Sequence, residues 1–334
     1  MLLIHNQIFD PYFNIASEEY FFKNFNDNII FLYRNLPSII IGKHQNAYSE
    51  INFQFVRENS IPVIRRISGG GAVYHDLGNL NFAFIQNKLD ENLSDFEGFT
   101  LPVINFLNEL GVSAKFEGHN DLRVNGKKFS GNAEHIFKNR VLHHGTLLFN
   151  TNFDNLRNSL QVSDKYKDHA VKSVPSKVIN LSDVLQQQMS IEEFENLLIE
   201  FLQKEYTDIK EYTLNNRDLA QINKLVEEKY SKWEWNYAYF GNYEFRNEIR
   251  SISANDSIRS KDAPSTIYFR VKNGFIEDFA IKSDYLNNNE IEEIVTSLNN
   301  TQHRYDIILE KLGKLDIFSG NKWITLVEFI EMLF

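Results

Sequence analysis

The sequence predicts an α+β protein: a large domain of mixed, mainly antiparallel sheets flanked by helices, followed by a small α+β domain. Three observations carry this expectation. β-rich runs follow one another as neighbours across hairpin-like turn residues. Helical periodicity interrupts them only in places, and no regular strand–helix alternation, the mark of a doubly wound parallel sheet, persists. The length of 334 residues leaves room for a second domain.

Taken in chain order, Met1–Asp10 reads as a first strand, because it lacks the basic start, unbroken apolar stretch and small-residue cleavage site of a secretion signal. Apolar residues at three- and four-residue spacing predict a helix over Ile15–Asn24. Runs rich in β-branched and aromatic residues then predict strands at Ile29–Tyr33, Ser38–Ile41, Val63–Arg66, Ala72–Tyr74 and Asn81–Ile85. A helix over Thr100–Leu110 precedes strands at Asp121–Val124, Lys128–Gly131 and Gly145–Phe149. From Asn152 to Asp183 the chain is polar with little periodicity and reads as a long surface connection. A helix follows over Ile191–Glu205, and the aromatic cluster Trp233–Phe240 reads as packed core at a domain edge. A fresh run of strands at Glu248–Ile252, Thr266–Val271 and Phe275–Ile281 then leads to helices at Asn289–Leu298, Tyr305–Leu312 and Trp323–Phe334. That change near Phe245 predicts domains of residues 1–245 and 246–334.

Composition removes several function classes. With 28 Phe and 15 Tyr the chain carries ample core material, and with no cysteine it has no disulfide, thiolate metal site or thiol nucleophile. A net charge of −10 gives no basic field to capture nucleic acid or anionic lipid. The longest apolar runs, such as Ile29–Tyr33, fall far short of the roughly 20 residues that span a bilayer. The expectation is a cytoplasmic monomer with neither a nucleic acid nor a membrane as partner.

Three stretches carry chemistry. In Arg65-Arg-Ile-Ser-Gly-Gly-Gly-Ala-Val-Tyr-His-Asp76, three successive glycines after a strand offer no packing surface, so they serve a close backbone approach to a ligand. Bare N–H groups bind phosphate or carboxylate, and the two arginines at the strand end add charged donors. The run is neither a dinucleotide fingerprint nor a P-loop. In Asn120–Ala133, Asn125-Gly126 between β-like runs predicts a type I′ hairpin. Its register sets Val124 opposite Lys127, Arg123 opposite Lys128, Leu122 opposite Phe129 and Asp121 opposite Ser130. Arg123 and Lys128 then face each other, a conflict that an anion or Asp121 relieves, and Lys128 rather than Lys127 becomes the site candidate. In His143-His-Gly-Thr-Leu-Leu148 the adjacent histidines point to opposite faces of a strand, which suits support of a site or core packing better than one metal.

Together these residues resemble the lipoate–protein ligase A family, within the biotin and lipoate protein ligase fold. The resemblance rests on Arg65–Asn79, Asn120-Asp-Leu122, Lys128-Phe-Ser-Gly-Asn-Ala133 and His143–Leu148, and extends to Asn14-Ile-Ala-Ser-Glu-Glu19, Ile41-Gly-Lys-His-Gln-Asn46 and Lys232-Trp-Glu-Trp-Asn-Tyr237. It implies a catalytic domain with an accessory domain, and a two-step reaction. Lipoate and ATP, with Mg2+, give lipoyl-AMP and pyrophosphate; the lipoyl group then passes to a lysine of apo lipoyl domains of 2-oxoacid dehydrogenase E2 subunits or of the glycine-cleavage H protein. The resemblance makes Lys128 the catalytic cation. It places Arg66, Gly71, Ala72, Val73, Tyr74, Asn79, Asn120, Asp121 and Lys128 at ATP and the adenylate, with Asp121 at magnesium. Ser68, Gly69, Gly70, His75, Lys128, Ser130, Gly131 and His144 fall at lipoate.

Where family members often carry an arginine shortly after the Ser-Gly motif, in a loop that orders the adenylate, this chain has Asn132-Ala-Glu-His135. A cysteine-dependent octanoyltransferase of the same fold is excluded by composition. A transferase accepting only ready-made lipoyl-AMP, or a non-catalytic module binding nucleotide or lipoyl domains, stays open from the sequence.

Overall fold

The structure, a computed structural model, describes residues 1–88, 94–249, 265–284, 286–319 and 325–334. It divides into two compact units. The first comprises Met1–His44, Ile61–Leu160 and Lys172–Asn236, and the second Gln45–Ser60, Gln161–Val171 and Tyr237–Phe334. The expected boundary at 245/246 therefore falls inside a strand, Tyr243–Ile249. The second unit also gathers two earlier segments. Tyr166–Lys167 pairs with that strand, the carbonyls of Glu50 and Ser49 accept from the N–H groups of Gln161 and Ser163, and Tyr48 Oη donates to the His303 carbonyl at 2.8 Å. Pairings this distant in sequence leave no local signal.

The first unit is built on an eight-stranded sheet in the order Lys210–Glu211, Leu2–Asn6, Ile29–Arg34, Asn79–Asn87, Arg140–Leu148, Lys127–Phe137, Asp121–Val124 and Lys115–Glu117. Leu2–Asn6 runs parallel to both its neighbours and the remaining pairs are antiparallel, giving the mixed, mainly antiparallel sheet expected. Both faces are covered, so its central strands read as apolar runs rather than alternating ones. On one face Leu32, Phe82, Phe84 and Phe129 pack with Phe106 and Phe194 of helices Phe96–Glu109 and Ile191–Glu205. On the other, Phe31, Ala83, Ile85 and Leu142 pack with Phe21 of helix Pro11–Asn24. That helix opens earlier than its periodicity suggests: Asp10 caps the N–H groups of Tyr12 and Phe13, and Pro11 sits at the first helical position, where its missing N–H costs nothing.

A smaller sheet in the order Val63–Arg65, Ser38–Ile41, Val73–His75 leaves residues 66–72 as a bend between its outer strands. The second unit carries Tyr166–Lys167, Tyr243–Ile249, Ser265–Lys272 and Phe275–Lys282 as an antiparallel sheet, with Phe245, Phe269, Ile294, Ile308 and Phe329 in its core. The end of the strand expected at Glu248–Ile252 and the start of the helix expected at Trp323–Phe334 lie outside the described residues; the helix described there is Leu326–Glu331. No helix of the described residues is long and apolar enough to cross a membrane.

The hairpin turns where expected, with Asn125 at φ 52° and Gly126 at φ 70°, and pairs Val124 with Lys127 and Arg123 with Lys128. Beyond that point the register shifts. Leu122 opposes Ser130 and Asp121 opposes Gly131, not Phe129 and Ser130 as the uninterrupted register predicts. The irregularity leaves Leu122 and Phe129 both fully buried.

Candidate active site

A cavity of about 380 Å3 opens between the bend and the hairpin. Arg66, Gly70, Gly71, Ala72, Val73 and His75 line it from the small sheet, and Asn120, Asp121, Arg123, Lys128, Gly131, Asn132 and Ala133 from the hairpin strands. His144, Gly145 and Thr146 contribute from the neighbouring strand, and Ile15, Tyr33 and Ile40 make an apolar wall. Among these residues Arg66, Arg123, Lys128 and Lys172 are cationic and Asp121 alone is a carboxylate, so the cavity is cationic in a chain of net charge −10.

The bend is shaped by Arg66. Its Nε donates to Ser68 Oγ at 2.9 Å, its Nη1 to the Ile40 carbonyl at 3.0 Å, and its Nη2 to the carbonyls of Gly69 and, at 2.8 Å, Gly71. Gly70 stands at φ 87°, a conformation side chains rarely take. With the carbonyls of Gly69 and Gly71 turned to the guanidinium, the N–H groups of Gly69, Gly70 and Gly71 have no acceptor among the described residues, while that of Ala72 donates to Ser173 Oγ at 2.8 Å. Burial pulls the Arg66 guanidinium down to about 10, against the raising effect of Glu18 and Tyr33. Arg65 does not join Arg66 as a ligand donor. Its Nε, Nη1 and Nη2 donate to the carbonyls of Trp235, Gly42, Lys43 and Asn236, and Trp235 Nε1 returns a hydrogen bond to the Arg65 carbonyl at 2.7 Å. Adjacent strand residues point to opposite sides, so one arginine anchors the Trp235–Asn236 turn and the other reaches the bend.

Across the cavity Asp121 resolves the facing cations: Lys128 Nζ lies 2.8 Å from its Oδ1 and Arg123 Nη2 2.7 Å from its Oδ2. The Lys128 side chain lies over Gly131, where a Cβ would stand 2.9 Å from Nζ. The Lys128 backbone is pinned as well, its N–H donating to the Lys177 carbonyl and its carbonyl accepting from Ile179 N–H. His75 is held neutral, its pKa lowered to about 3 by burial first and then by Arg66 and His144. Asn35 Nδ2 lies 3.0 Å from its Nδ1, so the ring hydrogen sits on Nε2, which is buried without a partner among the described residues. His143 and His144 do point apart: His143 packs on Phe99 and bonds Glu134, whereas His144 bonds Ser68 and Glu18.

Ser68, Gly69, Tyr74, Asn79 and Ser130 do not line the cavity. Ser68 and Gly69 hold Arg66 from behind, and Tyr74 is buried on the far side of the strand from Val73 and His75. Asn79 and Ser130 meet lining residues instead, through Asn81 Oδ1 at 2.9 Å and Asn132 Nδ2 at 3.3 Å. Sequence reasoning missed Tyr33, Asn81, Thr146 and the Lys172–Ser176 segment, all in the wall. That last segment belongs to the polar stretch, residues 152–183, that reads from sequence as a surface connection. Its unusual length was the available signal, since long irregular loops in compact domains are commonly functional. Asn132–His135, where an ordering loop was in question, lies within the strand Lys127–Phe137.

Residues 10–203 match the family described as the lipoyl protein ligase A/B catalytic domain, and residues 265–333 the bacterial lipoate protein ligase C-terminus. The chain belongs to the lipoate–protein ligase family. Its relative LplJ, a lipoate-protein ligase of Bacillus subtilis, is 38% identical over the full length of both chains. A lipoate-protein ligase A solved with ATP bound is 30% identical with a TM-score of 0.61, covering 71% of this chain and 97% of its own. Among Thermoplasma acidophilum structures, a lipoate protein ligase with bound lipoic acid gives 30% and 0.61 over 71% and 98%. A bi-partite ligase studied with its E2 lipoyl domain gives 30% and 0.60 over 71% and 95%. Within this family the bend and the hairpin lysine of the present chain face one cavity.

Proposed function

We propose that this chain activates lipoate with ATP, releasing pyrophosphate, and passes the lipoyl group from lipoyl-AMP to a lysine of an apo lipoyl domain, in E2 subunits or the glycine-cleavage H protein. The observation that carries this reading is the one cavity lined by both Lys128 and Gly70 and Gly71, whose N–H groups have no acceptor among the described residues. A carboxylate and an α-phosphate repel each other, and a cation between them removes that barrier. At about 4 Å a unit charge pair is worth about 4 kcal/mol at an effective dielectric near 20, or about three orders of magnitude in rate. In this reading Lys128, a cation in the cavity wall, anchors the lipoyl carboxylate and then the new phosphate–carboxyl bond, while the N–H groups of Gly70 and Gly71 and the His75 Nε2 hydrogen take phosphate or carboxyl oxygens.

The lipoate carboxylate oxygen attacks the α-phosphorus and pyrophosphate leaves. The acceptor lysine amine then attacks the acyl carbon and AMP leaves. No enzyme-bound acyl group is needed, which accords with a chain lacking cysteine. Asp121 would hold Mg2+, which neutralises phosphate charge when bound. The fit is to an ion carried by the nucleotide, since Mg2+ commonly takes one or two carboxylates plus phosphate oxygens, and the described residues hold no cluster of three or more His, Asp or Glu suited to a metal.

Incubation with ATP, magnesium, lipoate and a panel of apo acceptor domains, read by intact mass, tests the reading. Addition of one lipoyl group to an acceptor is expected. Modification with supplied lipoyl-AMP but not with lipoate and ATP would reduce the chain to a transferase, and modification by neither would overturn the proposal.

A further inference from the structure

Behind the bend runs a chain of hydrogen bonds that begins at a carboxylate the reaction above does not use. Glu18, in helix Pro11–Asn24, is 1% exposed and lies outside the cavity wall. Its Oε1 accepts from Tyr33 Oη at 2.9 Å and its Oε2 lies 2.7 Å from His144 Nδ1. His144 Nε2 lies 2.6 Å from Ser68 Oγ, which accepts from Arg66 Nε at 2.9 Å.

The two ends fix the direction of every bond between them. A carboxylate only accepts, so the ring hydrogen of His144 sits on Nδ1 and goes to Glu18, and the bare Nε2 of the neutral ring accepts the Ser68 hydroxyl hydrogen. A guanidinium only donates, so Arg66 Nε gives its hydrogen to a lone pair of the same Oγ. The same guanidinium holds the carbonyls of Ile40, Gly69 and Gly71. The spacing of Ser68, His144 and Glu18 is that of a nucleophile, its base and an orienting carboxylate. Ser68 is nonetheless no nucleophile here: it is 1% exposed, stands outside the cavity wall and has an Oγ lone pair directed at Arg66.

We propose that Glu18 is a positioning residue for adenylate formation: by setting the His144 tautomer it sets the Ser68 hydroxyl, and through it the Arg66 guanidinium and the glycine bend that receives the acyl phosphate. This rests on the function proposed above, but its first test does not. Nitrogen-15 NMR of the histidine rings, with His144 assigned by its loss in His144→Gln, reads the tautomer without substrate; the Nδ1–H form is expected, and an Nε2–H form in the native protein overturns the proposal.

The second test is a double-mutant cycle on lipoate-dependent ATP–pyrophosphate exchange. Glu18→Leu is expected to lower kcat about tenfold or more, but by less than about twofold further in a Ser68→Ala background, where the link is already cut. Equal losses in both backgrounds overturn the proposal. Glu18→Gln can keep an oxygen toward Nδ1–H and turn its amide to Tyr33, so it is expected to keep the Nδ1–H form and about a third or more of the native rate. A folded Glu18→Gln protein with the altered tautomer and undiminished exchange overturns the proposal too. If Glu18→Leu fails to fold, the native tautomer and Glu18→Gln decide. Absence of exchange in the native protein overturns the ligase reading, and the tautomer still judges this one.

Discussion

Gly131→Ala puts a methyl group where the Lys128 side chain now lies. A Cβ on Gly131 would stand 2.9 Å from both Cε and Nζ of Lys128, whereas non-bonded carbons settle at about 3.5–4.0 Å. Gly131 is not among the residues of positive φ, so alanine meets no backbone strain there. The flexible end of Lys128 therefore gives way, by about 0.6–1 Å. A reacting group misplaced by about 1 Å costs on the order of a hundredfold in rate, or about 2.7 kcal/mol of transition-state stabilisation. The assay is lipoate-dependent ATP–pyrophosphate exchange, run beside thermal unfolding. Exchange about a hundredfold below native is expected, with Tm unchanged within about 2 °C. A folded variant exchanging within about threefold of native would refute the dependence of activation on where that ammonium sits.

Lys128→Met leaves the apolar face of the hairpin untouched, so it should fold normally and lose about three orders of magnitude in exchange; near-native exchange would remove Lys128 from its role. Gly70→Val forces a β-branched residue to φ 87° with its Cβ 3.0 Å from Arg66 Nη2, and calorimetry should show binding of a lipoyl-adenylate analogue weakened by about tenfold or more. Native affinity would return the bend to a mere flexible loop. Stability should also fall in mild acid. His75 and His303 are held near 3 by burial in the folded chain, against about 6.5 when unfolded. Between those values the unfolded chain binds protons that the folded chain excludes, so stability is full above about pH 6.5 and falls as pH drops toward 3. From pH 6.5 to 5.0 each contributes a loss of roughly 1.6 kcal/mol. Denaturant titrations of His75→Asn and His303→Asn should each show that much less pH dependence, and curves parallel to native would contradict the assignment.

The legible parts of the site were those set by neighbours in sequence. A glycine triplet after an apolar strand can only be a bend, and Asn125-Gly126 fixes both the turn and the opposition of Arg123 and Lys128. Residues whose roles depend on distant chain were not legible. The shift beyond Arg123 lies outside what a two-residue turn encodes, since the turn sets only the pairs next to it. The strand Arg140–Leu148 begins well before its apolar end, and its buried His143 and His144 each meet a carboxylate from another element through Nδ1, Glu134 and Glu18. Arg65 and Arg66 look equivalent in sequence and diverge once Trp235 and Asn236 supply carbonyls to one of them. The wall segment Lys172–Ser176 and the early pieces of the second unit, residues 45–60 and 161–171, meet partners far away in sequence, such as Ala72 N–H on Ser173 Oγ and the His303 carbonyl on Tyr48 Oη.

The central claim is that the glycine bend and the Lys128 ammonium hold one acyl nucleotide between them. A crystal structure with a non-hydrolysable lipoyl-adenylate analogue tests this most directly. The account predicts Lys128 Nζ within hydrogen-bond reach of both the acyl and phosphate oxygens, with the N–H groups of Gly70 and Gly71 on the opposite side of the same phosphate. An analogue seated elsewhere, or with Lys128 still closed on Asp121 and out of its reach, would contradict it.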